Sequence, residues 1–153
     1  MLSMAEFDFF TTEFRICKIR SCNHVFSEKA LHRDAACRWP GQPSALPDGE
    51  YDMIVSNPPY IPSEDIKSLS DEVKNEPMLA LDGGIDGLDI VRALIEKAPR
   101  SIKKGGYLLI EFGYDQGAQI SSIMEEKLSQ GEYSFYKIVK DYGGNDRALV
   151  ARV

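Results

Sequence analysis

Glycine is nearly missing from the first third of this sequence: of 12 glycines in 153 residues, only Gly41 and Gly49 precede residue 51. Neither sits in a strand-Gly-x-Gly-x-x-Gly-helix setting, the turn that lets backbone approach a nucleotide-type cofactor closely. Long apolar runs are missing too, and none nears the roughly 20 residues that cross a bilayer. Residues 1–10 carry Glu6 and Asp8 where a secretion signal would carry bases. The expectation is therefore a cytoplasmic chain with no membrane partner. Histidine is limited to His24 and His32, and the three cysteines, Cys17, Cys22 and Cys37, cannot all pair within one chain. They read as reduced thiols. These five soft ligands lie close in sequence, but no Cys-x-x-Cys or His-x₃₋₅-His pair exists, so no metal site is expected.

The formal charge of -6 is unevenly placed. Residues 1–50 hold six Lys/Arg against seven Asp/Glu, whereas residues 51–153 hold twelve against seventeen. Such an acidic surface does not attract a phosphate backbone at long range, which disfavours general nucleic-acid binding and favours a protein or small-molecule substrate.

Residues 1–46 alternate apolar clusters (Phe7, Phe9, Phe10, Phe14) with bases (Arg15, Lys18, Arg20), and no helical or strand period persists. Proline and glycine at Pro40, Gly41, Pro43, Pro47 and Gly49 mark a loop or linker. Beyond it, Tyr51-Asp52-Met53-Ile54-Val55-Ser56 reads as a short buried strand. A helix follows over residues 87–97, with Leu88, Val91, Leu94 and Ile95 inward, Asp86 as cap and Pro99 as terminator. Gly105-Gly106 leads into a second strand at residues 107–110. A second helix spans about residues 115–129, with Ile120, Ile123, Met124 and Leu128 on one stripe and Gly131 stopping it. Residues 133–139 and 148–153, joined through Tyr142-Gly143-Gly144-Asn145, form an edge hairpin. Strand, helix, strand, helix, strand, strand is α/β order with an antiparallel finish.

In open α/β sheets ligands bind beyond the carboxyl ends of parallel strands, and Asn57-Pro58-Pro59-Tyr60 follows the first clear strand directly. A rigid strand-to-loop turn is the plainer reading. The chemical one starts from an amide or amino nitrogen whose lone pair is delocalised, so that it must be held in place to react. An Asn side-chain carbonyl and the next backbone carbonyl each accept one N–H of an NH₂ group and favour the positive charge that grows on nitrogen. Proline fixes φ and offers no competing N–H, and Tyr60 stacks on the flat group.

As Asn/Asp-Pro-Pro-Tyr/Phe/Trp, the tetrapeptide resembles the motif of methyltransferases acting on planar NH₂ groups of adenine or glutamine. Its surroundings resemble the HemK/PrmC family over about residues 47–153: YDMIVSNPPYIP (51–62), Glu76-Pro77 with Ala80-Leu81, Gly83-Gly84-Ile85-Asp86-Gly87-Leu88, GGYLLIE (105–111) with Gly113, and Asp146-Arg147. That resemblance implies transfer of a methyl group from S-adenosylmethionine to the side-chain amide of the glutamine in the Gly-Gly-Gln loop of peptide chain release factors. It implies a Rossmann-like class I methyltransferase sheet, here its carboxy-terminal half with an antiparallel edge hairpin. Residues 47–153 would be the catalytic half. Residues 1–46 would be a remnant of the cofactor-binding half, as a truncation or shifted frame upstream of Pro47 would leave.

By the same resemblance Asn57 and Pro58 are catalytic, Asn57, Pro58, Pro59 and Tyr60 form the glutamine pocket, and Asn57 also lies against the methyl donor. Glu111 could reach the crevice, but the preferred reading is a buried carboxylate accepting backbone N–H bonds. Glu76 reads as a loop anchor, Arg147 as holding the hairpin, and Gly83, Gly84 and Gly87 as supplying positive φ. Two alternatives stand beside this one: an adenine-N6 nucleic-acid methyltransferase, and an inactive remnant that binds or homo-oligomerises through an exposed sheet edge.

Overall fold

The computed structural model describes residues 15–19, 36–38, 51–69 and 80–153, the first two stretches as backbone only. Their elements are β1 (Arg15–Ile19), β2 (Ala36–Arg38), β3 (Tyr51–Ser56), a short 3-10 turn (Asp65–Ser68), α1 (Asp89–Ser101), β4 (Ile102–Glu111), α2 (Gly117–Ser129), β5 (Phe135–Lys140) and β6 (Asp146–Arg152). One mixed sheet joins the strands in the order β2-β1-β3-β4-β6-β5. The α/β order expected from residue 51 onward is present, and β5 closes one edge as the outer strand of an antiparallel hairpin.

Why the helices lie where they do follows from strand alternation. Ile54 and Leu108 face each other across the parallel β3–β4 pair, while Ile110 and Leu149, and Leu108 and Ala151, do so across β4–β6. All five are at most 1% exposed. Val91, Leu94, Ile95 and Ala98 of α1 join Ile120 and Met124 of α2 in the same buried cluster, with Ile123 and Leu128 packed against its margin. Each large aliphatic side chain so buried contributes about 1.5 to 3 kcal/mol. Both helical stripes read from the sequence therefore cover one face of the sheet.

Four expectations shift. Residues 1–46, read without a period, contain β1 and β2; strands of five and three residues are too short to display one. β4 begins at Ile102, ahead of the glycines, because Gly105 with φ +84° sits in an irregularity where the pairing jumps from Tyr51↔Ile102 to Met53↔Tyr107. Asp86 lies two residues before the helix-capping position, Leu88, yet its carboxylate accepts the Leu88 N–H at 3.1 Å and pairs with Arg92. Finally, Pro99 lies inside α1, which runs on to Ser101.

The reason α1 tolerates Pro99 is long-range. Proline has no N–H to give the carbonyl four residues back, that of Ile95. The Tyr133 hydroxyl donates to that carbonyl at 2.7 Å within the core, and burial pushes its pKa upward. This inward turn also removes Tyr133 from β5, which starts at Phe135. Tyr133→Phe keeps the ring and orphans the Ile95 carbonyl, so it should cost roughly 1–3 kcal/mol. Thermal melts should show the loss shrinking in a Pro99→Ala background, where a backbone N–H returns; an equal loss in both backgrounds would refute the coupling.

Candidate acceptor site

The turn after β3 is built to be rigid. Pro58 and Pro59 are buried, while Asn57 and Tyr60 are half-buried. Immediately beyond, the chain zips against residues 81–84: Ile61 N–H donates to Leu81 O at 3.2 Å, Gly83 N–H to Ile61 O at 2.9 Å and Ser63 N–H to Gly84 O at 2.9 Å. The Asp82 carboxylate fastens both sides, accepting from the Ser63 hydroxyl at 2.7 Å and Gly84 N–H at 3.0 Å. These bonds, the hydroxyl's foremost, hold its pKa below the usual range.

Two glycines permit this closeness. A Cβ on Gly83 would lie 2.8 Å from Tyr60 Cα, and one on Gly87 would lie 2.3 Å from Tyr60 O. Gly84 and Gly87 have φ of +94° and +75°, as expected from sequence, but Gly83 does not have positive φ; it is required by contact with the Gly87 and Tyr60 backbones.

A residue not singled out by sequence reasoning ties the loops together. Gln116, 3% exposed at the start of α2, accepts the Gly113 N–H at 2.9 Å and donates to Tyr60 O at 2.9 Å, with a longer bond to Asp86 O at 3.4 Å. One side chain thus fixes the loops after β3 and β4 and the loop before α1. Its sequence signal is faint, because the partners lie 56 and 30 residues away.

Around Tyr60 stand Glu111, at the carboxyl end of β4, and Arg147, on β6. Burial first, then the Glu111 charge, push the Tyr60 hydroxyl pKa upward, against a hydrogen bond and charge from Arg147. Burial likewise raises the Glu111 pKa, opposed by Arg147. Arg147 reaches Phe112 O and Asp141, each at 3.5 Å, so it holds the hairpin as expected while also facing Tyr60. Among the described residues the Glu111 Oε2 is buried without a hydrogen-bond partner, so the expected backbone N–H bonds are not found for that oxygen. Glu76, Cys22, His24 and His32 lie outside the described residues; Cys17 and Cys37 lie on β1 and β2.

This chain is 42% identical over 106 residues to a release factor glutamine methyltransferase of Fusobacterium nucleatum, covering 69% of the chain and 29% of that protein. Proteins of the same name from Rhodospirillum rubrum (43% over 113 residues, 73% of the chain and 34% of the relative) and Agrobacterium fabrum (46% over 105 residues, 68% and 35%) are similar to it as well. The chain belongs to the release factor glutamine methyltransferase family. It spans about a third of the length of these curated relatives. No family model matches it.

Family membership raises the question of S-adenosylmethionine, and the described residues do not fit a methyl donor beside Asn57. A nucleotide-type cofactor is received by a glycine-rich turn at the carboxyl end of a strand parallel to its neighbours. The strand beside β3 is β1, which runs antiparallel, pairing Ile16 with Ser56 and Ile19 with Met53. Its carboxyl end therefore points away from the Asn57 turn, and residues 1–50 offer only Gly41 and Gly49. No helix among the described residues is long and apolar enough to cross a membrane.

Proposed function

We propose that the turn Asn57-Pro58-Pro59-Tyr60 receives the side-chain amide of a glutamine in a peptide chain release factor, as the acceptor pocket of an S-adenosylmethionine-dependent N-methyltransferase in the cytoplasm. Residues 47–153 are then the catalytic half, with residues 1–46 in the place of a cofactor-binding half. The observation carrying this reading is the buried proline pair at the carboxyl end of β3, clamped through Tyr60 O by Gln116. The Asn57 side-chain oxygen and the Pro58 carbonyl accept the two N–H groups, turn the nitrogen lone pair outward and favour its growing positive charge. Tyr60 stacks on the amide plane. Similarity to proteins named release factor glutamine methyltransferase supports glutamine as the acceptor.

A second reading is favoured by the antiparallel β1: a family member that binds its acceptor without turning over, alone or as a homo-oligomer. Adenine methylation of nucleic acid is disfavoured by the net charge of -6. Calorimetric titration of the whole chain with S-adenosylmethionine and with a Gly-Gly-Gln peptide separates these readings. Peptide binding with no donor binding supports an acceptor half alone, and methyl transfer to a release factor supports the complete enzyme. Binding of adenine nucleosides in place of the peptide would overturn the glutamine assignment.

A further inference from the structure

The Oε2 of Glu111, buried without a hydrogen-bond partner among the described residues, needs an explanation that core packing does not give. A buried acceptor without a donor costs on the order of 1–3 kcal/mol, and more when charged. Burial raises the pKa of Glu111, so its folded form is stabilised at acid pH and penalised as pH rises through that raised value. Such a penalty persists where the group serves a ligand. The location agrees: in the parallel pair Ser56 faces Ile110, and the next residue along each strand is Asn57 on one and Glu111 on the other. Glu111 is half-buried as a residue, and the terminal torsion of a glutamate is broad and roughly two-fold, so either oxygen can turn to the open side.

We infer that Glu111 is an acceptor-binding residue whose carboxylate takes a main-chain N–H of the peptide at or beside the glutamine. This rests on the acceptor pocket proposed above. Asn57 and Pro58 consume both N–H groups of the side-chain amide, so a third acceptor beside them at the ends of β3 and β4 must meet a different donor. A glycine-rich peptide presents main-chain N–H groups unshielded by side chains. The same carboxylate repels phosphate, which sets the pocket against nucleic acid and for peptide.

The test titrates the full-length chain with an acetylated Gly-Gly-Gln amide peptide and melts each variant without ligand. Glu111→Ala should weaken binding about tenfold, the worth of one charge-assisted hydrogen bond, and Glu111→Gln by less. Neither variant should melt far below the unaltered chain, because the buried Oε2 has no hydrogen bond to lose among the described residues and burial outweighs the attraction of Arg147. Within a set of main-chain N-methylated peptides, one should bind the unaltered chain about tenfold more weakly yet lose nothing further against Glu111→Ala. A Glu111→Ala chain that binds within twofold of the unaltered one, or that loses several degrees of melting temperature along with binding, would overturn the inference. Peptide binding that needs Asn57 and ignores Glu111 sinks this inference alone, whereas no peptide binding by the unaltered chain sinks the acceptor pocket with it.

Discussion

Replacing Gln116 by leucine should lower the thermal midpoint of this chain by about 6–12 °C, corresponding to roughly 3 kcal/mol in a protein of this size. Leucine approximates the glutamine volume, so packing is largely kept. What disappears is a set of hydrogen bonds in a site 3% exposed: the Gly113 N–H loses its acceptor, and the carbonyls of Tyr60 and Asp86 lose their donor. Water cannot readily replace them, so each orphaned group brings its desolvation cost. The functional consequence should exceed the thermal one. With Tyr60 O untethered, the proline turn loses its attachment to α2, and peptide affinity should fall even at temperatures where the variant is folded. Gln116→Glu is the sharper probe. It retains the acceptor for Gly113 and sets a carboxylate oxygen against two carbonyls, so it should be at least as damaging as leucine. Circular-dichroism melts with parallel peptide titrations check both, and a leucine variant melting within 2 °C of the unaltered chain would remove Gln116 from its proposed place.

The second large effect belongs to Asn57. Changing it to alanine should reduce affinity for a glutamine peptide about a hundredfold, because the NH₂ group held in the proposed pocket is left with one N–H facing no acceptor. Stability should change little, within about 1 kcal/mol, since Asn57 is half-buried and the fold is held by the core beneath it. Asn57→Asp preserves an oxygen acceptor and should recover most of the binding. A peptide carrying glutamate in place of glutamine offers no side-chain N–H and should bind neither chain well. The two sites are thus distinguished by which quantity moves: Gln116 shifts stability and binding together, Asn57 binding alone.

Structure that is local and periodic is legible in the sequence. The inward stripes of α1 and α2, the β3 strand with its proline turn, and the glycine-turned hairpin follow from residue spacing and turn residues. Structure that a distant residue decides is not legible there. Pro99 looks like a stop until the Tyr133 hydroxyl, 38 residues from Ile95, satisfies the Ile95 carbonyl that proline leaves bare. Gly83 looks like a turn glycine until the Tyr60 backbone is found against it. Gln116 reads as an unremarked polar residue at a helix start, and only the topology of β3 and β4 brings Tyr60 O to it. For β1 the obstacle was brevity, and for its antiparallel direction no local signal exists, since direction is a property of pairing.

That direction bears on the donor side of the proposed reaction, while the proposed acceptor side rests on the turn after β3 and the side chains that hold or flank it. The most direct measurement is the structure of the full chain with a Gly-Gly-Gln peptide bound. The glutamine NH₂ should lie within hydrogen-bonding distance, about 2.7–3.2 Å, of both the Asn57 side-chain oxygen and the Pro58 carbonyl, with the Tyr60 ring over the amide plane. A glutamine seated elsewhere, or an Asn57 amide turned into the protein and bonded there while the peptide is bound, would contradict it.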